Sequence, residues 1–167
     1  SLFGARYDDS VKIKYNFETE LFKYGVIRNI FQPLIENYFI HGFDTACNDN
    51  YILLSGKTIE ERFMLFSVED NGNGMEEEDI EKLNQKIFGK IDDIQSEKNN
   101  TTNHESYGLK NLHQRIKLFY GNDCGISIMK NKRKGLLVQI KILKLTCEEY
   151  EKTKKNRKET LTNPNSD

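Results

Sequence analysis

Gln32-Pro33-Leu34-Ile35-Glu36-Asn37-Tyr38-Phe39-Ile40-His41-Gly42 reads as a helix with two sides. Ile27, Ile30, Phe31, Leu34, Ile35, Tyr38 and Phe39 recur at the three-and-four spacing of one buried stripe. Asn37 and His41 stand one turn apart on a different side, with Glu36 nearby. Packing does not need that polar row, although a cap or a solvated face would also supply it. The pattern predicts a helix from about Val26 to His41, stopped by Gly42. Pro33 lacks an N–H and crowds the preceding turn. It fits without loss only if the helix starts within the four residues before it, and otherwise predicts a kink.

Upstream, residues 1–8 read as a lead-in, and Val11 to Phe17 alternates apolar and polar like a half-exposed strand. Downstream of a polar loop, Tyr51 to Lys57 predicts a strand and Thr58 to Glu61 a turn. Arg62-Phe63-Met64-Leu65-Phe66-Ser67-Val68-Glu69-Asp70 is an apolar run too short for an ordinary helix and bounded by turn residues, and it reads as a central strand covered on both faces. The two strands predict a hairpin. Asn71-Gly72-Asn73-Gly74 breaks the chain, and Glu76 to Phe88 predicts a helix with Ile80, Leu83 and Ile87 inward and acidic residues in its first turn. Gly89 to Ser106 is a long polar stretch of the kind that serves function. Gly108 is read as opening a helix from Leu109 to Tyr120, ended by Gly121. Two more strands, Cys124 to Met129 and Leu136 to Leu145, flank a basic turn. From Thr146 the composition becomes charged and polar. Disorder is the default for such a tail, with a solvated helix over Glu148 to Lys158 as the ordered alternative.

The 167 residues suffice for one domain with a real core. Lys plus Arg number 25 against 26 Asp plus Glu, which gives no ground for a nucleic-acid surface. No apolar run approaches the roughly 20 residues of a spanning helix, and the N-terminus is unlike a signal peptide, so this piece is not expected to be membrane-embedded. Cys47, Cys124 and Cys147 form no CxxC pair and fit free thiols in a reducing cytoplasm. His41, His104 and His113 show no zinc-ligand spacing with them.

Two further motifs carry chemistry. Asp70-Asn71-Gly72-Asn73-Gly74-Met75 follows the most buried strand, where a partly dry carboxylate can accept a hydrogen bond from an exocyclic amine such as that of adenine. Its glycines let backbone approach a flat ring, though the same residues are ordinary turn signals. Ser106-Tyr107-Gly108-Leu109-Lys110-Asn111 is a loop-to-helix junction suited to phosphate, with Lys110 able to add charge. A glycine before an amphipathic helix is equally an unremarkable cap.

In this order, the three segments resemble the N, G1 and G2 boxes of the GHKL superfamily of ATP-binding domains. QPLIENYFIHG, DNGNGM and GLKNLHQRIKLFYG are similar to those of LytS/YesM-type sensor histidine kinases. The resemblance runs from about Arg6-Tyr7 to Leu143 and implies an α+β fold, a two-layer α/β sandwich of the GHKL (Bergerat) type. A mixed sheet of about five strands would carry three helices on one face. The ATP-binding catalytic domain would span 9–146, with 147–167 a charged tail. ATP and Mg2+ are the implied cofactors. Asn37 matches the magnesium-holding asparagine, which fits an ion that takes oxygen ligands and keeps waters. Asp70 matches the adenine-reading aspartate, with Gly72, Gly74 and Met75 beside the base. Tyr107, Gly108, Leu109 and Lys110 match the phosphate segment beneath a lid over Gly89 to Tyr107. Glu36 and His41 match positions near the metal and phosphates, Glu36 being the candidate for proton or water handling.

Some positions depart from the family pattern. Ser106 stands for a glycine, Tyr38 for a small residue and Ile40 for a commonly basic one. The last glycine box survives only as Gly135 followed by Leu136, and Val26-Ile27-Arg28-Asn29 replaces a proline-rich entry. No His-Phe-Leu-type acceptor motif occurs, so none of the three histidines is expected to be phosphorylated. The resemblance implies a cytoplasmic catalytic domain of a bacterial plasma-membrane kinase. It would phosphorylate a histidine in an upstream dimerisation region of a homodimer and relay the phosphate to a response regulator, with little turnover alone. A GHKL serine kinase of the anti-sigma type and a degenerate interaction domain are the alternatives.

Overall fold

The computed structural model describes residues 11–44, 46–89, 103–132 and 134–162, with backbone alone for 103–106 and 158–162. The lead-in over 1–8 and most of the expected lid, 90–102, lie outside the described residues. Five strands form one mixed sheet: β1 (Lys12–Phe17), β2 (Tyr51–Ile59), β3 (Phe63–Asp70), β4 (Gly125–Lys130) and β5 (Leu136–Leu143). Their order is β1-β2-β3-β5-β4, with β1 parallel to β2 and the other pairs antiparallel. The apolar run of Phe63–Asp70 is therefore the middle strand.

Alternation along the strands builds the core. Leu54 pairs with Val68 and Val68 with Val138, while Phe66 pairs with Ile140 and Ile140 with Ile126. These side chains share the face that the helices cover, and all are buried. Among the described residues no helix covers the opposite face of β3. It is screened instead by long neighbours, the Lys141 ammonium lying 4.0 Å from the Phe63 ring centroid. β1 is more open than the alternation predicts, with Ile13 and Tyr15 both exposed, because it is an edge strand.

The helical layer consists of α1 (Gln32–Asn37), α2 (Glu77–Phe88) and α3 (Asn103–Tyr120). Two predicted helix starts are corrected. The first helix begins at Gln32, not Val26, so Pro33 sits in its opening turn and causes no kink. Asn29 takes a positive φ of 60°, which interrupts any helix through 26–31. Ile27 and Ile30 are buried from irregular backbone all the same. α1 then passes into a π-helical turn, Tyr38–Gly42, closed by the Phe43 N–H donating to the Tyr38 carbonyl at 2.9 Å. The third helix begins at Asn103, so Gly108 lies inside it and does not open it.

The tail from Cys147 to Thr162 is a fourth helix, α4. Thr146 and Glu149 cap it reciprocally, at 2.8 Å and 3.3 Å. Its Tyr150 ring packs on Phe119 of α3, centroids 5.0 Å apart, and against the backbone of Gly25. Gly25 in turn donates its N–H to the Leu145 carbonyl, beside a bridge between Tyr24 and Thr146. On the far side, β4 is an outer strand whose free backbone groups are met by side chains. Asn84 of α2 takes both the carbonyl and the N–H of Ile128, and His113 Nδ1 accepts the N–H of Ile126 at 3.0 Å.

Candidate functional site

A cavity of about 490 Å³ opens between the helical layer and the end of β3, a size in the range of small-molecule sites. Asn37, His41 and Gly42 line it from α1 and its π turn. Asp70, Gly74 and Met75 line it from the end of β3, and Leu109 from α3. The polar row of the N-terminal helix and the carboxylate after the central strand thus face one space.

Asp70 is buried at 8% exposure. Its Oδ1 accepts the N–H groups of Gly72 at 2.8 Å and Leu136 at 3.3 Å. Burial pushes its carboxyl above the usual carboxylate range, against the opposing pull of those two hydrogen bonds. Oδ2 has no partner among the described residues, leaving one acceptor oxygen for whatever enters the cavity. Two glycines hold this geometry. Gly72 presses on the backbone of Gly42, where a Cβ would overlap the Gly42 carbonyl oxygen. Gly135, at φ +89°, lies against Asp70 itself, and a Cβ there would overlap both its carbonyl and Oδ1.

Tyr38 backs the site. It is 3% exposed, lies under Gly42, and donates its hydroxyl to Asn50 Oδ1 at 3.3 Å. Burial first, then the nearby Asp70 charge, pushes its phenol up to about 12. Asn50 passes the restraint on by donating to the carbonyls of Asp44 and Cys47, so the loop after the π turn is pinned.

Of the residues singled out from sequence, the structure brings Asn37, His41, Asp70, Gly74, Met75 and Leu109 to the cavity wall. Gly72 shapes the wall without lining it. Glu36 is outside the lining, its Oε1 accepting from Gln32 Nε2 at 2.8 Å. Tyr107 is exposed on α3, and Gly108 and Lys110 are also outside the lining. The loop-to-helix junction expected at 106–110 is not formed there, since the helix already runs from Asn103. Among the described residues a Cβ on Gly108 would meet only Pro33 at 3.9 Å, so none of their packing requires glycine at that position.

The wall also includes Tyr38, Leu83, Leu136, Asp79, Lys82 and Lys86, which sequence reasoning did not assign to a site. Asp79, Lys82, Leu83 and Lys86 follow helical spacing, and that stripe was the available signal. Among the described residues no group of three His, Cys, Asp or Glu side chains could hold a metal ion. A carboxamide oxygen such as that of Asn37 suits magnesium, which relies on few protein ligands and borrows phosphate oxygens. No described helix is long and apolar enough to cross a membrane.

The family profile described as "Histidine kinase-, DNA gyrase B-, and HSP90-like ATPase" matches residues 24–146, about three-quarters of the chain. The sensor protein kinase HptS of Staphylococcus aureus (strain USA300) is 29% identical over 139 residues, covering 83% of this chain. The chain spans about a quarter of that relative's length, the aligned part being 24%. Two solved structures share the fold. The mycobacterial sensor histidine kinase MprB superimposes with a TM-score of 0.57 at 8% identity, covering 86% of this chain and 89% of that one. The nucleotide-free catalytic domain of histidine kinase ThkA gives 0.55 at 16% identity, covering 87% and 88%.

Proposed function

The chain belongs to the histidine kinase-, DNA gyrase B- and HSP90-like ATPase family, and on that premise we propose that it is the ATP-binding catalytic domain of a LytS/YesM-type sensor histidine kinase. The observation that carries this reading is the pairing across one cavity of a buried, half-satisfied carboxylate, Asp70, with the carboxamide of Asn37. Asp70 Oδ2 accepts the exocyclic amine of adenine, which a guanine at the same place could not donate. Gly74 and Met75 lie beside the ring, and Leu109 and Leu136 supply apolar wall. Asn37 would hold magnesium, with His41 one turn on, toward the phosphates. The ion supplies charge neutralisation for the triphosphate. The chain's own part is to fix the base and aim the γ-phosphate, since phosphoryl transfer depends mainly on position and charge. Glu36, oriented by Gln32, stands one residue from Asn37 as the group for proton or water handling.

The recipient would be a histidine on a dimerisation region outside these 167 residues, in a homodimeric membrane-anchored kinase, and a response regulator would take the phosphate on. One observation favours a second reading, a nucleotide-binding domain without transfer. The amides of Gly108 to Lys110 lie within a continuous helix and are spent on intrahelical bonds. Against it, Gly108, which no described neighbour's packing requires, would let that segment rearrange around phosphates. Calorimetric titration with Mg-ATP tests the proposal: binding is expected, and Asn37→Ala should abolish its magnesium dependence with the melting temperature unchanged. No heat of binding up to millimolar Mg-ATP would sink it.

A further inference from the structure

The cavity wall carries two cations that belong to none of the three motifs. Asp79, Lys82, Leu83 and Lys86 sit at positions i, i+3, i+4 and i+7 of α2, within about 100° of arc, so one stripe of the helix faces the cavity. α2 starts just after Met75, five residues from Asp70, so its N-terminal turn stands beside the base-reading carboxylate. From Asp79 to Lys86 the helix climbs about 10 Å away from that point. The stripe therefore changes along its length from acidic at the Asp70 end to cationic at the far end.

The two lysines differ in how they are held. The Lys82 ammonium lies 2.9 Å from Glu78 and 3.6 Å from Asp79, in pairs that are solvent-exposed at every partner. Such pairs are weak and exchange readily for a better anion. Lys86 lines the same wall and has no anionic partner among the described residues. Two flexible cations on the wall of a cavity that also holds a carboxylate match a ligand with a neutral, amine-bearing end and an anionic one. The α3 amides that could otherwise meet phosphate are consumed in helix over 107–110. Among the described residues, the lysines that line the cavity both stand on α2.

We propose that Lys82 and Lys86 form a phosphate clamp on α2, gripping the polyphosphate of the nucleotide whose base sits on Asp70. This rests on the reading of the cavity as a nucleotide site. The clamp makes affinity depend on the number of phosphates: Lys82 leaves Glu78 and Asp79 to reach the nearer ones, and Lys86 reaches the outer ones.

The test titrates adenosine, AMP, ADP and ATP against the full chain and against Lys82→Met, Lys86→Met, Lys86→Gln and, as a control, Lys155→Met on α4. Removing one charge-assisted contact should weaken ATP by about tenfold. Lys86→Met and Lys86→Gln should weaken ATP more than AMP, adenosine should be unchanged throughout, and Lys155→Met should alter nothing. All substituted lysines lie on exposed helix surface, so the variants should keep the parent melting temperature. Unchanged ATP affinity in the α2 variants, or equal losses for ATP and adenosine, overturns the clamp while leaving the nucleotide site standing. Failure of the unsubstituted chain to bind any of the four ligands overturns both.

Discussion

At Asp70 the chain buries a carboxyl group that packing alone would exchange for an amide. Its folded titration point is raised above the unfolded one. The stability it contributes is therefore fully present below the unfolded carboxylate range, and is lost as pH rises through the folded value. At neutral pH the group costs stability relative to an isosteric neutral one. Asp70→Asn keeps an Oδ1 for the N–H groups of Gly72 and Leu136. Its melting temperature should rise by about 2–4 °C, as expected for a gain near 1 kcal/mol in a chain of this size. The gain should shrink as pH falls toward 4, while ATP affinity drops at least tenfold. A melting temperature that falls at pH 7 would show that the carboxylate is structural. That Asp70 and Asn37 would come to one cavity was legible in the sequence, because each stands in a dense motif. Lys82 and Lys86 were not, since a charged helix stripe with Glu78 and Asp79 one turn before Lys82 looks the same whether it faces water or a cavity. Tyr38 was noticed as a departure, but its hydroxyl's path to Asn50 crosses a loop, and nothing local signals that.

Helices and strands were legible wherever hydrophobic period and turn chemistry agreed. The middle strand, the hairpin to β2, α2 and the β4–β5 pair all fall within a few residues of their sequence patterns. The errors arose where period misled. Ile27 and Ile30 keep helical spacing with α1 and are buried like its stripe, yet Asn29 interrupts the backbone between them. Gly108 looked like a helix start because glycine punctuates chains, but it sits one turn and a half inside α3. Side chains that seal a sheet edge leave no period at all. Asn84 replaces a sixth strand for Ile128, accepting and donating as a backbone amide would. Asn84→Ala should cost about 2 kcal/mol by urea denaturation, because it strands a donor and an acceptor. It should also produce concentration-dependent association through the newly open edge of β4. An unchanged urea midpoint would mean that water serves Ile128 equally well.

Over the whole molecule, the family match over residues 24–146 stops where α4 begins, and α4 is nonetheless packed. Composition pointed to disorder. The signals against it were Thr146 three residues before Glu149 and one aromatic, Tyr150, in an otherwise charged run. Tyr150 joins α4 to α3 and to the segment entering α1, so Tyr150→Ala should cost about 2 kcal/mol. It should also raise amide exchange over 24–31 as well as over α4. Exchange confined to α4 would show that the tail is a passenger. The π turn that ends α1 has a different kind of consequence. A π turn holds one residue more than the α turn it replaces, so Tyr38–Gly42 behaves as a built-in insertion. Deleting one residue from its middle would let the helix return to regular α geometry with the segments on either side left in place. Gly42, beyond the excised residue, would keep its seat against Gly72. Between Tyr38 and Gly42, then, chains that keep this site can differ in length by one residue, whereas Gly42 itself is fixed by its contacts with Tyr38 and Gly72.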